Sequence, residues 1–519
     1  MSHDGRRSIP AWLRHIYLST ARVQYPRRRE GGKMSVKLSD LFESVPAERS
    51  NFREAEVRGV TCDSRLVQSG ALFVAVPGTR ADGGAYVDEA IRRGAVAIVA
   101  EKPVPNCPVP VFVVRGAREA LSDLAVRFYG DPSSKLNAVG VTGTNGKTTT
   151  TYLLRSIFEA AGEKVGVLGT IGHSIGSRTL PSDNTTPGAD TLQKYFAEMV
   201  QAGCKSAAME VSSHALDQDR VRGVRFAAGI FTNLTRDHLD YHPTMEHYRD
   251  AKGKLFELLP RRGVAALNAD DPASEVYAAL THAHVVTYGL QARAEISAKV
   301  ELSTFNGTRL RLRLGTEELV VNTRLIGTHN VYNLLGAAAC TWAMGYDLDP
   351  IKAGIENLAA VPGRLEPVDA GQDFAVLVDY AHTDDALRNV LRCLRPLARG
   401  RLIVVFGCGG DRDRGKRPKM GRVVAELADQ AVLTSDNPRS ENPMAILSEI
   451  AAGVSDKSKY LIEPDRRGAV KLALTLARKD DLVLIAGKGH ENYQILGDRR
   501  IGFDDRLVAR EILGELVKK

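Results

Sequence analysis

Ala138-Val-Gly-Val-Thr-Gly-Thr-Asn-Gly-Lys-Thr-Thr-Thr-Thr151 decides how the rest of the chain is read. An apolar run ends in a glycine-rich turn, followed by Lys147, four threonines and the apolar-periodic segment Tyr152 to Phe158. Strand, glycine loop and helix start, in that order, form a phosphate-binding loop. Gly143 and Gly146 let backbone N–H groups approach an anion, Lys147 reaches terminal phosphates, and Thr148 suits magnesium. The strict spacing G-x-x-x-x-G-K-[ST] is not met, because Val141 stands at the first glycine position and Gly140 lies one place early. The alternative is a plain glycine turn before a helix. ATP is the expected phosphate donor.

Working outward, alternating strand-like and helical segments predict an α/β protein in three domains. Residues 34–137 carry short β-like runs (Ala71–Val76, Val96–Val99, Val109–Val114) between helical stretches at 85–93 and 117–129. This is a small α/β unit, and Asp131-Pro-Ser-Ser134 supplies turn chemistry for a linker. Residues 138–362 hold the phosphate loop and strand-like runs at 164–168, 206–211 and 226–232, which predicts a central P-loop-type parallel sheet covered by helices. Alternation in Arg309-Leu-Arg-Leu-Arg-Leu314 predicts an antiparallel excursion, and 330–346 a helix. Val361-Pro-Gly-Arg-Leu-Glu-Pro367 marks the second boundary. Residues 363–519 form a doubly wound, Rossmann-like domain with strands at 374–378, 401–406, 430–434 and 481–486.

The net charge of +8 does not point to nucleic acid. Eight of the 70 Lys/Arg and two of the 62 acids lie in residues 1–33, leaving 62 and 60 for the body. That basic beginning is expected to be disordered and dispensable, so a chain starting at Met34 should keep full activity in a phosphate-release assay. Six cysteines show no C-x-x-C or metal-ligand spacing and read as reduced thiols of a cytoplasmic protein. No apolar run approaches the ~18 residues of a membrane span.

Two further stretches are rich in chemistry. Met209-Glu-Val-Ser-Ser-His214 places Glu210 near a strand end, as a magnesium ligand or a capping or ion-paired carboxylate. The segment Phe231 to His242 gathers Asn233, Asp237, His238, Asp240 and His242, a density of metal-capable groups unusual for a surface loop. The stretch His247 to Lys254 puts two lysines on a helix, for which a solvated face is the simpler reading.

Gly143-Thr-Asn-Gly-Lys-Thr-Thr149, Thr232-Asn-Leu-Thr-Arg-Asp-His-Leu-Asp240, His329-Asn-Val-Tyr-Asn333 and Asp379-Tyr-Ala-His382 together resemble the Mur ligases, the ATP-dependent amide-forming enzymes of peptidoglycan precursor synthesis. The resemblance covers about residues 35–519 and implies roles position by position. Gly143, Thr144, Asn145, Gly146, Lys147, Thr148 and Thr149 would bind ATP phosphates, Asn330 and Asn333 the adenine side, and Arg364 and Asp379 ATP from the domain junction and third domain. Cys62, Ser64, Thr79, Arg80 and Ala81 resemble a uridine pocket, and Asn184, Thr185, Thr186, Ser212, Gln218 and Arg220 contacts to the rest of a UDP-muramoyl-dipeptide. Lys252 aligns with a lysine carbamoylated by carbon dioxide. As an anion it would support one magnesium with His238, while Thr148 and Glu210 serve another. Lys147, His238 and Lys252 form the implied catalytic set.

Asp436-Asn-Pro-Arg439 resembles the motif of the branch that adds meso-diaminopimelate. Arg439 would grip the distal carboxylate in a bidentate, charge-assisted hydrogen bond, which lysine lacks. Asp436, Asn437, Pro438, Arg412, Gly487 and Glu491 would complete that site. Alone, Asn437-Pro438 reads as an ordinary turn. One departure is Asp384, where the family usually has proline; stiffness rather than chemistry should change. The partners implied are small molecules, with neither nucleic acid nor membrane, for a monomer. A nucleotide-switch scaffold and a folate-glutamylating ligase are the rivals.

Overall fold

The computed structural model describes residues 34–78 and 82–517. The basic beginning and Thr79, Arg80 and Ala81 lie outside the described residues. The chain is an α/β protein that divides into two compact units. Residues 34–147, 157–294 and 336–351 form one, and residues 148–156, 295–335 and 352–517 the other.

The first unit contains a five-stranded sheet in the order Glu48–Ser50, Val111–Val113, Ala95–Ala100, Ala71–Val74, Gly59–Thr61. Leu72, Val74, Ala97, Val99 and Phe112 pack beneath the helix Ala117–Tyr129, which contributes Leu121, Leu124 and Phe128. The Asp131-Pro-Ser-Ser134 stretch, expected as a linker, is instead pinned. Pro132–Lys135 form a 3₁₀ turn, and the buried Asp131 carboxylate accepts from Arg225.

The same unit holds the parallel array that positions the phosphate loop. Its strands are β1 (Asn137–Thr142), β2 (Val165–Leu168), β3 (Ser206–Glu210), β4 (Phe226–Phe231), β5 (Val264–Asn268) and β6 (His284–Gly289). They run in the order β2-β3-β1-β4-β5-β6, with a small hairpin (His173–Ile175, Arg178–Leu180) beside β2. Both faces are covered, which is why β3 and β5 are buried at every residue and read as continuous apolar runs rather than alternating ones. Strand β1 lies between β3 and β4, so its carboxyl end opens at the crevice where winding changes direction. Phe196, Leu192 and Met199 fill one side and Leu255, Phe256 and Tyr277 join the same core. Each such burial contributes about 1.5–3 kcal/mol.

In the second unit, Ile296–Thr304, Gly307–Leu314 and Glu317–Thr323 form the expected antiparallel meander. Leu310, Leu312 and Leu314 face inward, while Arg309, Arg311 and Arg313 face solvent. A six-stranded sheet follows, built around β7 (Ala375–Asp379), β8 (Leu402–Phe406), β9 (Gln430–Leu433) and β10 (Leu482–Ala486). Its order is Glu366–Pro367, β7, β10, β8, β9, Tyr460–Ile462, parallel except at the first strand. Asp384 opens the helix Asp384–Leu394, with Thr383 capping it through Ala386 N–H. The first helical position suits proline for its fixed φ and an acid for the helix dipole, so the departure from the family pattern is conservative there.

Gly143 has φ 144°, and a Cβ there would sit 1.9 Å from Thr232 Oγ1. Gly143→Ala should therefore destabilise the fold by about 1–3 kcal/mol, read as a lower urea midpoint, and remove nucleotide binding.

Candidate active site

Helix α1 (Lys147–Ala160) starts directly after the glycine turn, with Gly146 at φ 90° as its N-cap. The turn is knitted to the chain leaving β4. Thr144 N–H donates to the Asn233 carbonyl at 2.8 Å, Asn145 N–H to Asn233 Oδ1 at 3.0 Å, and Thr232 Oγ1 to the Asn145 carbonyl at 2.6 Å. Two independent loops thus fix one another, and the first helical N–H groups are presented as an anion site. Lys147 Nζ lies over this turn, donating to the carbonyls of Gly143 and Thr144 at 2.8 and 2.9 Å. Thr148 and Thr149 are buried, and Thr148 Oγ1 accepts from Arg364 at 3.2 Å.

Lys252, on helix α2 (Met245–Glu257), is 1% exposed rather than on a solvated face. Its Nζ donates to the Gly143 carbonyl at 2.9 Å and sits 4.2 Å from the Tyr248 ring centre. Burial, and then the nearby Lys147 charge, drive its pKa well below the usual lysine value. A neutral amine is the form that adds carbon dioxide.

Part of the metal-capable stretch is taken up by the scaffold. Asn233 is occupied with the phosphate loop, and His242 is buried with its Nε2 2.9 Å from Ser213 Oγ. His238 is half-exposed in a left-handed turn (φ 53°), stacked edgewise on His214 and 3.5 Å from Asp237. Burial, against the opposing Asp237 charge, lowers its pKa and favours the neutral imidazole, the form able to ligate. Among the described residues no three His, Cys, Asp or Glu side chains converge to hold a metal alone. Glu210 nevertheless fits a divalent cation. It is 1% exposed, accepts from Thr170 N–H and Thr170 Oγ1, and has no cationic side chain against it among the described residues. A hard oxygen donor of this kind suits magnesium, which also recruits substrate phosphates and water.

The residues expected at the sugar and peptide form one network. Thr186 Oγ1 donates to the Glu210 carbonyl and accepts from Ser212 N–H. Arg220 donates to the Thr186 carbonyl and to Gln218 Oε1, whose amide donates to Tyr241. Thr185 lies 3.1 Å from Thr170, and Asn184 is exposed nearby in sequence. Ser64 Oγ donates to Glu89, and burial raises the Cys62 thiol to about 12, so it is not a thiolate.

Helix α3 (Thr328–Ala343) carries Asn330 and Asn333 in its second-unit part, joined amide to amide at 3.1 Å. Asn330 and Arg364 line a common recess with Arg324 and Ala360. Asp379 ends β7 and accepts the N–H groups of Leu365 and Ala381; burial raises its pKa against the opposing Arg364 charge.

The expected amino-acid residues are brought together. Asn437 Nδ2 donates to Glu491 at 3.0 Å, and both meet the buried Lys488. Burial would raise the Asp436 pKa, but Lys488, then Arg466 and His382, outweigh it and hold the carboxylate below its usual range. Arg439 has φ 50° and is clamped to the hairpin Tyr493–Leu496/Arg499–Gly502 by bonds to Ile495 and Gly497. Its Nη1 donates to the Gly410 carbonyl at 2.7 Å, and no carboxylate among the described residues pairs with it. Arg412 is exposed on the adjacent turn, Pro438 is buried, and Gly487 lies beside Asp436. Sequence reasoning passed over Lys488 and the hairpin; a lysine inside the apolar-flanked Ala486-Gly-Lys-Gly489 turn was the available signal.

Three family models match the chain. Residues 56–129 match "Mur ligase family, catalytic domain", 141–341 "Mur ligase middle domain" and 363–489 "Mur ligase, glutamate ligase domain". The chain belongs to the Mur ligase family. Among its relatives is a UDP-N-acetylmuramoyl-L-alanyl-D-glutamate--2,6-diaminopimelate ligase of Geobacillus thermodenitrificans, 48% identical over 467 residues, covering 89% of this chain and 95% of the relative. A protein of the same name from Halalkalibacterium halodurans is 46% identical, over 92% of this chain and 99% of its own. A solved structure under that name aligns with TM-score 0.68 and 31% identity, covering 94% of this chain and 100% of that one. A MurF ligase from Thermotoga maritima in complex with ADP shares the fold, with TM-score 0.61, 19% identity and coverage of 89% and 98%. Among the described residues no helix is long and apolar enough to cross a membrane.

The depressed lysine pKa has a stability consequence. The unfolded chain binds a proton that buried Lys252 rejects, so stability rises with pH up to the ordinary lysine pKa. In metal-free, bicarbonate-free buffer, Lys252→Met should flatten the pH–stability curve on the alkaline side of neutrality by up to about 1.4 kcal/mol per pH unit, measured by urea unfolding.

Proposed function

We propose that the chain is an ATP-dependent, ADP-forming ligase that joins meso-2,6-diaminopimelate to UDP-N-acetylmuramoyl-L-alanyl-D-glutamate, in the cytoplasm and as a monomer. The carrying observation is the buried amine of Lys252 on the Gly143 carbonyl of the phosphate loop. An NTPase that only hydrolyses or switches has no use for an internal lysine there. A carbamate formed on it is an oxygen anion placed against the loop that receives phosphates.

In this reading the segments 34–137, 138–362 and 363–519 serve the UDP-sugar, ATP and the amino acid. The Gly143–Thr149 loop holds the triphosphate, with Asn330 and Asn333 toward the adenine and Arg364 and Asp379 completing the nucleotide contacts. The UDP-sugar-peptide lies along Cys62, Ser64, Asn184, Thr185, Thr186, Ser212, Gln218 and Arg220; the expected contacts Thr79, Arg80 and Ala81 belong to the same proposal. Thr148 and Glu210 would hold one magnesium ion and His238 and the Lys252 carbamate a second, neutralising phosphate charge when bound.

The side-chain carboxylate of the D-glutamyl residue attacks the γ-phosphorus, and the bond to the bridging oxygen breaks to release ADP. Lys147 balances charge on the transferred phosphoryl group and fixes its orientation. The diaminopimelate amine then adds to the acyl phosphate carbon. The tetrahedral intermediate collapses with loss of inorganic phosphate and a proton, forming the amide. Arg439 would take the distal carboxylate in a two-toothed bond, while Asp436, Asn437 and Glu491 face the distal ammonium. A guanidinium that meets no carboxylate among the described residues, on a clamped backbone, supports this preference over lysine.

Phosphate release with UDP-muramoyl-dipeptide should require meso-diaminopimelate and be weak with L-lysine or glutamate. Lys147→Ala should abolish ADP formation. Arg439→Ala should raise the KM for diaminopimelate roughly 10- to 100-fold while sparing that for ATP. Phosphate release independent of any amino acid would instead favour a nucleotide switch.

A further inference from the structure

Lys488 lies in the turn after β10, with a side chain that is wholly inaccessible to solvent. Its Nζ donates in three directions: to Asp436 Oδ1 at 3.3 Å, Asn437 Oδ1 at 3.1 Å and Glu491 Oε2 at 3.1 Å. An ammonium has three protons, and all three are used. The three acceptors are side chains assigned above to the distal end of diaminopimelate. We propose that Lys488 is a specificity-determining positioning residue, which orients Asp436, Asn437 and Glu491 and sets the charge of the amino-acid site; this rests on the ligase reading above.

The orientation argument follows from the Asn437 amide. Its Oδ1 accepts from both Lys488 Nζ and Ile495 N–H, which turns Nδ2 toward Glu491. Without Lys488, the amide oxygen loses one of the two bonds that orient it. The charge argument is a count. Asp436 and Glu491 carry two negative charges, and Lys488 cancels one. Arg466 does not enter the count, because it is buried in its own ion pair with Asp505 at 2.7 Å. One net negative charge remains for one ligand ammonium, and Arg439 remains for one ligand carboxylate. Lysine offers the ammonium without the carboxylate. A pocket with two uncancelled carboxylates would favour cationic ligands generally, so Lys488 restrains the site from accepting lysine. Burying the pair without its cation would also be costly, which explains a fully interior lysine.

The test uses the full-length chain and phosphate release at saturating ATP and UDP-muramoyl-dipeptide. Lys488→Met should raise the KM for meso-diaminopimelate about 10-fold or more, with the KM for ATP within about twofold. The preference for meso-diaminopimelate over L-lysine, as a ratio of kcat/KM, should fall by a similar factor. The defect should shrink as pH falls, because one carboxylate of the uncancelled pair then takes a proton and restores the charge count. Asp436 is also faced by His382, Tyr380, Tyr493 and Arg466, so the readout is the variant-to-parent ratio at each pH, in which their titration cancels. Lys488→Arg, which keeps the cation but not the three-way geometry, should fall between the two. An unchanged diaminopimelate KM, equal losses for ATP and diaminopimelate, or a pH-independent ratio overturns the proposal. If the methionine variant does not fold by circular dichroism, Lys488→Arg decides by the same comparison of the two KM values. A parent enzyme that releases no phosphate with diaminopimelate would refute the ligase reading instead.

Discussion

The bond from Lys252 Nζ to the Gly143 carbonyl ties helix α2 to the first residue of the phosphate turn. Gly143 cannot move outward without leaving a buried ammonium or amine unpaired, and cannot carry a side chain because Thr232 Oγ1 fills that space. Thr232 in turn donates to the Asn145 carbonyl, and the Asn233 side chain accepts from the Asn145 N–H and donates to its carbonyl. The turn is therefore held from β4 and α2 as well as by its own glycines. A phosphate site held this way is preorganised, so little reorganisation is spent when charge arrives. The same contact keeps Lys252 in surroundings where the neutral amine is favoured.

A comparable constraint governs the surroundings of Arg439. Arg439 adopts a left-handed backbone that a non-glycine residue accepts only when its surroundings demand it. The hairpin 493–502 makes that demand through Ile495 and Gly497, and Lys488 arranges the acidic partners beside it. Arg417, wholly buried between Glu441 and Glu449, secures the neighbouring 409–412 turn through Gly409. In the proposed ligase, rigid support of this kind would turn a difference of one carboxylate on the ligand into a large difference in binding.

The parallel strands, the glycine turn and the antiparallel meander were legible because each is a local pattern. Continuous apolar runs read as doubly covered strands, and Arg309 to Leu314 alternates with the pleat. The place of Glu210 at the end of β3 followed from the same logic, whereas Asp379, at the end of β7, was singled out by the family resemblance. The density of polar groups between Asn233 and His242 was a weaker guide. Two of those side chains hold the scaffold, Asn233 on the phosphate turn and His242 on Ser213. The Asp131–Ser134 stretch misled in a similar way, since turn-forming residues also build a buried, ion-paired 3₁₀ corner.

What the sequence by itself determined is the α/β class, the phosphate turn and the family, because these depend on spacing along the chain. Only the tertiary structure decided which lysines are interior. Lys252 and Lys254 are two residues apart on one helix, yet one is buried beneath the phosphate turn and the other meets Asp217 at the surface. Lys488 likewise gains its meaning from Asp436 and Asn437, which lie more than fifty positions away. Burial and long-range pairing set the charge state of a side chain, and neither is written in its local sequence.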